Sequence, residues 1–286
     1  MQSNLSFSEF LASPPGRYVL RWEQEHLDCA VADIFGYHAV QLGVPEIDTL
    51  SENRMPLRLC VSDRLADPPS PGLGGRQVAV ITRFEELPFA TQSIDLVVMP
   101  HILEFAQEPH QVLREVDRVL VPEGQVIITG FNPASLWGLR QSLARAKIAR
   151  PYLPRAGQFI SLPRIKDWLK LLSFEANRGH FGCYAPWAGS DRWLARWSFL
   201  EKAGDRWWPV LGSVYMLTAV VMGVSTSSTF DLRNDRAYHV AEKLYPGAQF
   251  AGLGRLCPVL LSDSSGSDLQ AGGGPRCPLV GDSAAA

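Results

Sequence analysis

The sequence has no dominant charge, few cysteines, no internal repeat and no G-x-G-x-x-G turn, and each shortage removes a class of protein. Its 286 residues include 27 basic and 29 acidic side chains, a formal net charge of -2. Bulk electrostatics therefore draws it to neither nucleic acid nor a membrane, and any such partner must be argued locally. The five cysteines, Cys29, Cys60, Cys183, Cys257 and Cys277, are widely spaced, odd in number and without a C-x-x-C pair. That pattern fits a reducing compartment better than a disulfide framework or a zinc site, so no metal is expected. The opening residues MQSNLSFSEFLASPPG lack a basic start followed by an apolar run, so no secretory signal is read and a cytoplasmic protein is expected. With no G-x-G-x-x-G opening a helix after the first strand, a nicotinamide dehydrogenase ranks last among the α/β cofactor enzymes.

What is present is an alternation of apolar strands and amphipathic helices. At 46% hydrophobic, the chain can bury one large core, and one domain is the simplest organisation. Arg17 to Phe35 spaces Leu20, Leu27, Val31 and Ile34 as a helix does, with Glu23, Gln24, Glu25 and Asp28 between them, and predicts an amphipathic helix. Strands are predicted at Tyr37 to Gly43, Leu57 to Asp63, Gln77 to Ile81, Ile94 to Met99 and Gln125 to Gly130, with a Pro/Gly-rich loop at Asp67 to Gly75. A short crossover helix is expected within Glu46 to Asn53, because parallel strands need a connection of about a dozen residues. Val112, Leu113, Val116, Val119 and Leu120 share one helical face. Ser161 to Ser173 reads as a further helix with Ser161 as N-cap and Pro163 in its first turn. Trp207 to Val224 runs 18 residues without a charge, long enough to suggest a membrane span. Its Pro209 and Gly212, and the Val, Tyr and Thr of Ser213 to Met222, favour a buried strand instead. With Phe174 to Ala185 it would form the last strand pair. Five tryptophans, Trp187, Trp193, Trp197, Trp207 and Trp208, crowd the segment between Pro186 and Pro209.

The most informative stretch is Leu87 to Gly130. It contains Leu87-Pro88-Phe89, then Ser93-Ile94-Asp95-Leu96-Val97, then Arg118-Val119-Leu120-Val121-Pro122-Glu123-Gly124. In this order these residues resemble the class I S-adenosylmethionine-dependent methyltransferases, and the resemblance spans about Pro15 to Met222. It implies an α/β, Rossmann-like, seven-stranded and mostly parallel sheet with a closing antiparallel hairpin and helices on both faces. It also implies S-adenosyl-L-methionine as cofactor, bound beyond the strand carboxyl ends at the topological switch point. Carried onto this sequence, the cofactor-binding positions are Gln41 and Gly43 after the first strand and Asp63 at the end of the second, which would accept the ribose hydroxyls. Arg83 and Phe84 follow the third strand, and Met99 and Pro100 end the fourth. Gly43 fits the first glycine of the family's turn, while the later ones are missing, and Arg83 stands where the family often has an acid facing adenine. His101, in Met99-Pro100-His101-Ile102-Leu103-Glu104-Phe105, is the candidate general base.

From Gly124 through Lys166 the sequence holds no acid but carries Arg140, Arg145, Lys147, Arg150, Arg155, Arg164 and Lys166. As a lid this strip would favour an anionic small-molecule acceptor, and the tryptophans an aromatic one. A basic amphipathic surface helix explains it equally well. Two rival readings remain: a binding or scaffold protein that has lost turnover, and an RNA-binding or RNA-modifying protein using the Arg140 to Lys166 strip. The expected organisation is an N-terminal extension over residues 1–15, a methyltransferase domain over 16–224, and a linker with a disordered tail over 225–286.

Overall fold

The computed structural model describes residues 7–63, 77–146, 157–187, 190–197, 201, 204 and 208–222. The loop expected at Asp67 to Gly75 and the tail expected over 225–286 lie outside the described residues. The strands are β1 (His38–Leu42), β2 (Leu57–Ser62), β3 (Val80–Ile81), β4 (Ile94–Pro100), β5 (Leu120–Phe131), β6 (Phe174–Gly182) and β7 (Val214–Val221). They form one sheet in the order β3-β2-β1-β4-β5-β7-β6. The pairs from β3 through β5 are parallel, whereas β7 runs antiparallel to both β5 and β6. This is the Rossmann-like sheet with its closing hairpin. Strand order reverses between β1 and β4, which makes the carboxyl ends of those two strands the switch point.

Helices cover both faces, as a mostly parallel sheet requires. On one face α4 (Pro109–Val119) presents Val112, Leu113, Val116 and Val119, all buried, and α6 (Leu162–Leu171) adds Ile165 and Leu169. On the other lie α1 (Phe7–Ala12), α2 (Pro14–Ala32) and α5 (Leu136–Arg145), which contribute Phe10, Leu11, Leu27, Val31 and Trp137. Shorter helical pieces are α3 (Ile102–Phe105), α7 (Asp191–Arg196) and a 3-10 turn at Pro209–Leu211. The elbow between α1 and α2 is tight. Ser13 caps α2 by accepting from the Gly16 amide, Pro14 and Pro15 fill the first helical turn, and a Cβ at Gly16 would stand 2.1 Å from the Phe10 carbonyl oxygen.

The motif residues quoted above turn out to be structural ties. Arg118 donates from Nη1 to the Phe89 carbonyl (2.9 Å) and from Nη2 to the Leu87 carbonyl (3.0 Å), while Glu115 accepts from the Leu87 amide (3.2 Å). Hydrogen bonds from Arg118 also hold the Glu115 carboxyl below its usual range. Asp95, near the amino end of β4 and so at the opposite end of the strands from the switch point, accepts from the amides of Tyr37 and His38, both at 2.9 Å. Arg118→Ala removes the guanidinium that fastens the β3–β4 loop onto α4. It should lower stability by about 2 kcal/mol, read as a shift of the urea midpoint with unchanged slope.

The structure departs from the sequence reading in four places. Glu46 to Asn53 forms turns and no helix. β3 is a two-residue strand, and β6 stops at Gly182. Ser161 occupies the N-cap of α6 without a side-chain hydrogen bond. The uncharged run from Trp207 contains β7, whose Val214 to Leu217 are buried between β5 and β6. Among the described residues no helix is long and apolar enough to cross a membrane.

Candidate functional site

The turn that leaves β1 builds the first wall of the switch point. Gly43 has φ +66° and Val44 follows at φ 43°, so two successive residues sit in the left-handed region, the second a β-branched residue that rarely goes there. Gln41 holds them in place. Fully buried, it donates from Nε2 to the carbonyls of Gly43 (3.2 Å), Val44 (2.9 Å) and Ile47 (2.8 Å). Its Oε1 accepts from the Thr49 amide (3.1 Å) and hydroxyl (2.9 Å). The hydrogen-bonding capacity of this amide is thus committed inside the loop. Within Glu46 to Asn53 the Ile47 carbonyl and Thr49 amide are held by Gln41 and the carbonyls of Leu50, Ser51 and Asn53 by Arg58, so side chains rather than helical pairs engage these backbone groups.

Gly43 lies against α3. A Cβ built on it would stand 2.2 Å from the Ile102 δ-methyl and 3.5 Å from the Phe84 ring. The niche left by the missing side chain is therefore occupied by the tip of Ile102, the far end of a rotatable chain, rather than by backbone. Asp63 is exposed just beyond β2. Arg83 is exposed too, 3.7 Å from Glu85 with 72% of its side chain accessible, whereas Phe84 and Met99 are core residues and Pro100 is buried as the last residue of β4. Gly43 and Phe84 are brought together around Ile102. A shallow polar depression of about 280 Å³ lies beside the third-strand loop, lined by Arg83, Glu85, Glu86, Gln107, Glu108 and Gln111.

His101 occupies the turn between β4 and α3 with φ 54° and ψ 13°. It is only 1% exposed and sits between two carboxylates. Its Nδ1 meets Glu104 Oε2 at 3.0 Å, and its Nε2 lies 3.0 Å from Glu23 Oε1 in an ionic contact that is not aligned as a hydrogen bond. The Phe131 ring stacks on the imidazole at 4.3 Å, and Phe7 from α1 closes it edge-on at 5.4 Å. Burial alone would push the imidazole down, but the charge of Glu23 and the hydrogen bond and charge of Glu104 overcome it and raise its pKa from 6.5 to about 10. Burial raises the Glu104 carboxyl as well, against the opposing pull of His101 and of the Phe131 amide that donates to it. Near neutral pH the imidazole therefore already carries its proton, and in this closed arrangement it has no lone pair to offer an acceptor.

Glu23, the buried partner of His101, is the residue of the candidate site that the sequence reading missed. It was grouped with the polar side of α2, yet it is 0% exposed. A signal was there: Glu23 follows Leu20 by three positions and precedes Leu27 by four, which places it in the apolar stripe itself. An acid in such a stripe needs a buried partner, and His101 supplies it.

The basic strip is partly consumed within the chain. The Arg140 guanidinium lies 4.8 Å from the Trp187 ring, and that of Arg164 lies 5.1 Å from Trp168. Residues 147–156 of the strip lie outside the described residues. Trp187 also packs against Trp137 at 5.3 Å and Phe10 at 6.4 Å, so this tryptophan serves the core. Among the described residues no group of three or more His, Cys, Asp or Glu is placed to hold a metal ion.

Sheet order, closing hairpin and switch point are those of the Rossmann-like methyltransferase fold. Residues 65–128 match the family model described as a methyltransferase domain. Among curated proteins the chain is similar to the uncharacterized protein YafS of Escherichia coli K12, 42% identical over 104 residues, which is 35% of this chain and 41% of YafS. It is also similar to the biotin biosynthesis bifunctional protein BioHC of Saccharophagus degradans, 29% identical over 143 residues, 49% of this chain and 25% of that protein. The match thus spans less than half the length of these curated relatives. Among solved structures, a chain of the complex between the Haloferax volcanii Trm112 methyltransferase activator and its candidate methyltransferase superposes with a TM-score of 0.52. It is 15% identical, over 78% of this chain and 99% of that one, and shows the shared fold.

Proposed function

We propose that the chain binds S-adenosyl-L-methionine across the carboxyl ends of β1, β2 and β4 and transfers its methyl group to a small-molecule acceptor, anionic or aromatic in character. The observation that carries this reading is the left-handed glycine at the switch point, with a carboxylate beyond the neighbouring strand. The residues fit the cofactor once the Ile102 tip rotates out of the Gly43 niche. The backbone of Gly43 could then approach the ligand closely, Asp63 would accept the ribose hydroxyls, and Phe84 would offer an aromatic face in place of the acid that Arg83 replaces. When bound, S-adenosylmethionine supplies a sulfonium-activated methyl group. The chain's own contribution is to hold donor and acceptor in line and to keep water out. His101 is assigned a positioning role, because it holds a proton and is pinned between Glu23 and Glu104.

The occupied niche at Gly43 and the committed His101 favour one rival, a methyltransferase-fold protein that binds without turnover. Calorimetry with S-adenosylmethionine and S-adenosylhomocysteine tests the proposal. We expect both to bind wild type, and Ile102→Ala to bind more tightly by about threefold to tenfold, the gain from vacating a methyl-sized niche. Gly43→Val should bind neither, since its side chain would fill the niche at a backbone angle that valine resists. Absence of binding to wild type and Ile102→Ala alike, in folded protein, would sink the cofactor site. Binding without methyl transfer to any anionic or aromatic acceptor in a panel would leave the scaffold reading.

A further inference from the structure

The carboxyl ends of β4 and β5 are closed by aromatic rings set over polar atoms that have no hydrogen-bond partner. Phe7 of α1 stands edge-on to His101 at 5.4 Å and packs on Phe105 at 4.7 Å, while Phe10 meets Phe131 at 5.8 Å. Behind this cover Glu23 is 0% exposed, and neither of its carboxylate oxygens takes a hydrogen bond from a described residue. Its ionic contact with His101 runs through Oε1 and leaves Oε2 without a counterpart. The Thr129 hydroxyl is also unpaired, at 2% exposure. It precedes Phe131 by two positions on β5 and so shares the sheet face that α1 and α2 cover. Buried polar atoms are nearly always satisfied, so two such groups on one face beside the switch point call for a physical reason.

The ring that covers them supplies one. Phe7 belongs to a six-residue helix joined to α2 at the Ser13 to Gly16 elbow, and its ring carries no polar atom that could serve Glu23 or Thr129. A ligand ring with a polar substituent in the same place would serve both. We propose that an aromatic acceptor bearing an O–H or N–H group takes the place of the Phe7 ring, donating to Glu23 Oε2 while its heteroatom accepts from the Thr129 hydroxyl. To admit it, α1 swings aside at the elbow. The inference rests on the proposed cofactor site, which uses β1, β2 and β4 and leaves the neighbouring end of β5 to the acceptor. It narrows that acceptor to the aromatic class. An anionic acceptor would meet the Glu23 carboxylate as a like charge, whereas a phenol-like hydroxyl gains a charge-assisted hydrogen bond and a fixed orientation.

Ligand-observed NMR with phenol, toluene and benzoate on the full chain tests it, in wild type and in Phe7→Ala, which vacates the place of the ring. Phe7→Ala should bind phenol about tenfold more tightly than wild type and about tenfold more tightly than it binds toluene, the second factor being the worth of a charge-assisted hydrogen bond. Benzoate should not bind. In the same background Thr129→Val should weaken phenol about threefold and leave toluene unchanged. Its melting temperature should not fall, since a methyl replaces an unpaired hydroxyl. Glu23→Gln should remove most of the preference for phenol. Equal binding of phenol and toluene to Phe7→Ala, or no phenol binding to that variant in folded form, overturns the proposal. So does a phenol preference that Thr129→Val and Glu23→Gln both retain, which would leave the unpaired atoms to bound water only. These readouts need no cofactor, so failure of S-adenosylhomocysteine to bind wild type, which would sink the cofactor site and with it the acceptor role, is seen separately. With both ligands bound, nuclear Overhauser effects should connect phenol to the homocysteine chain, and their absence overturns the acceptor role.

Discussion

Removing His101 should be among the most damaging single substitutions in this protein. His101→Ala leaves Glu23 and Glu104 facing each other without the cation between them, in a site where all three side chains are at most 3% exposed. An uncompensated buried charge costs about 3–5 kcal/mol, a large share of the stability of an ordinary domain. The loss should shrink as pH falls, since burial already raises the Glu104 carboxyl and protonation removes the repulsion. Wild type should show the converse dependence. The folded imidazole keeps its proton to about pH 10, against an ordinary value of 6.5. The native chain thus binds more protons than the unfolded one between those limits, and stability falls by about 1.4 kcal/mol per pH unit as pH rises through them. Below pH 6.5 the contribution is present in full. Two neighbours act in the same sense at the alkaline end: burial raises the Cys183 thiol and the Tyr215 phenol, with Glu23 and Glu104 respectively adding to it. Urea midpoints of wild type and His101→Ala at pH 6, 8 and 9.5 measure the difference. If wild-type stability is flat across that range, the imidazole is not held as an imidazolium. Triple replacement of Glu23, His101 and Glu104 by apolar residues of similar size should recover most of the loss, because the charges would be removed together.

How much of this could be read from the residues depended on whether the signal was local. Strand positions followed from short apolar runs, and the sheet order from the resemblance carried by Leu87 to Gly130. The residues of that stretch proved informative because they serve the fold: Arg118 ties down Leu87 and Phe89, and Asp95 pins the start of β1. The expected helix at Glu46 to Asn53 failed for a reason no propensity contains. Gln41 takes the Ile47 carbonyl and the Thr49 amide, and Arg58 takes the carbonyls of Leu50, Ser51 and Asn53, so distant side chains engage backbone groups of the segment. Glu23 was misjudged because its type argued for solvent while its spacing argued for the core, and the partner that settles the conflict, His101, lies 78 positions away in sequence. The candidate site shows the same division. Gly43 was visible as a strand-end glycine, but its contact with Ile102 depends on how α3 crosses β1, which neither segment encodes alone.

The second large effect is expected at Gln41, where Gln41→Leu keeps the volume and discards the amide. The carbonyls of Gly43, Val44 and Ile47 and the amide and hydroxyl of fully buried Thr49 would lose the Gln41 amide; of these, the Val44 carbonyl keeps a hydrogen bond from the Ile47 amide at 3.3 Å. Each buried polar group left unpaired costs about 1–3 kcal/mol, and partial relaxation of the loop should bring the total to roughly 3–5 kcal/mol. The conformational consequence differs from that of a cavity in the core. Val44 holds φ 43° only because its surroundings over-determine it, and the Gln41 amide contacts the carbonyls on both left-handed residues. Such strain, about 1–3 kcal/mol for a non-glycine residue, is released when the restraint goes. The turn should then relax, carrying Gly43 away from the switch point. Gln41→Leu should therefore lose stability and cofactor affinity together. Gly43→Val should lose the affinity and stay more stable than Gln41→Leu, because a strained valine keeps the hydrogen-bonded knot. Equal losses of stability in the two variants would show that the amide restrains nothing beyond what the glycine already permits.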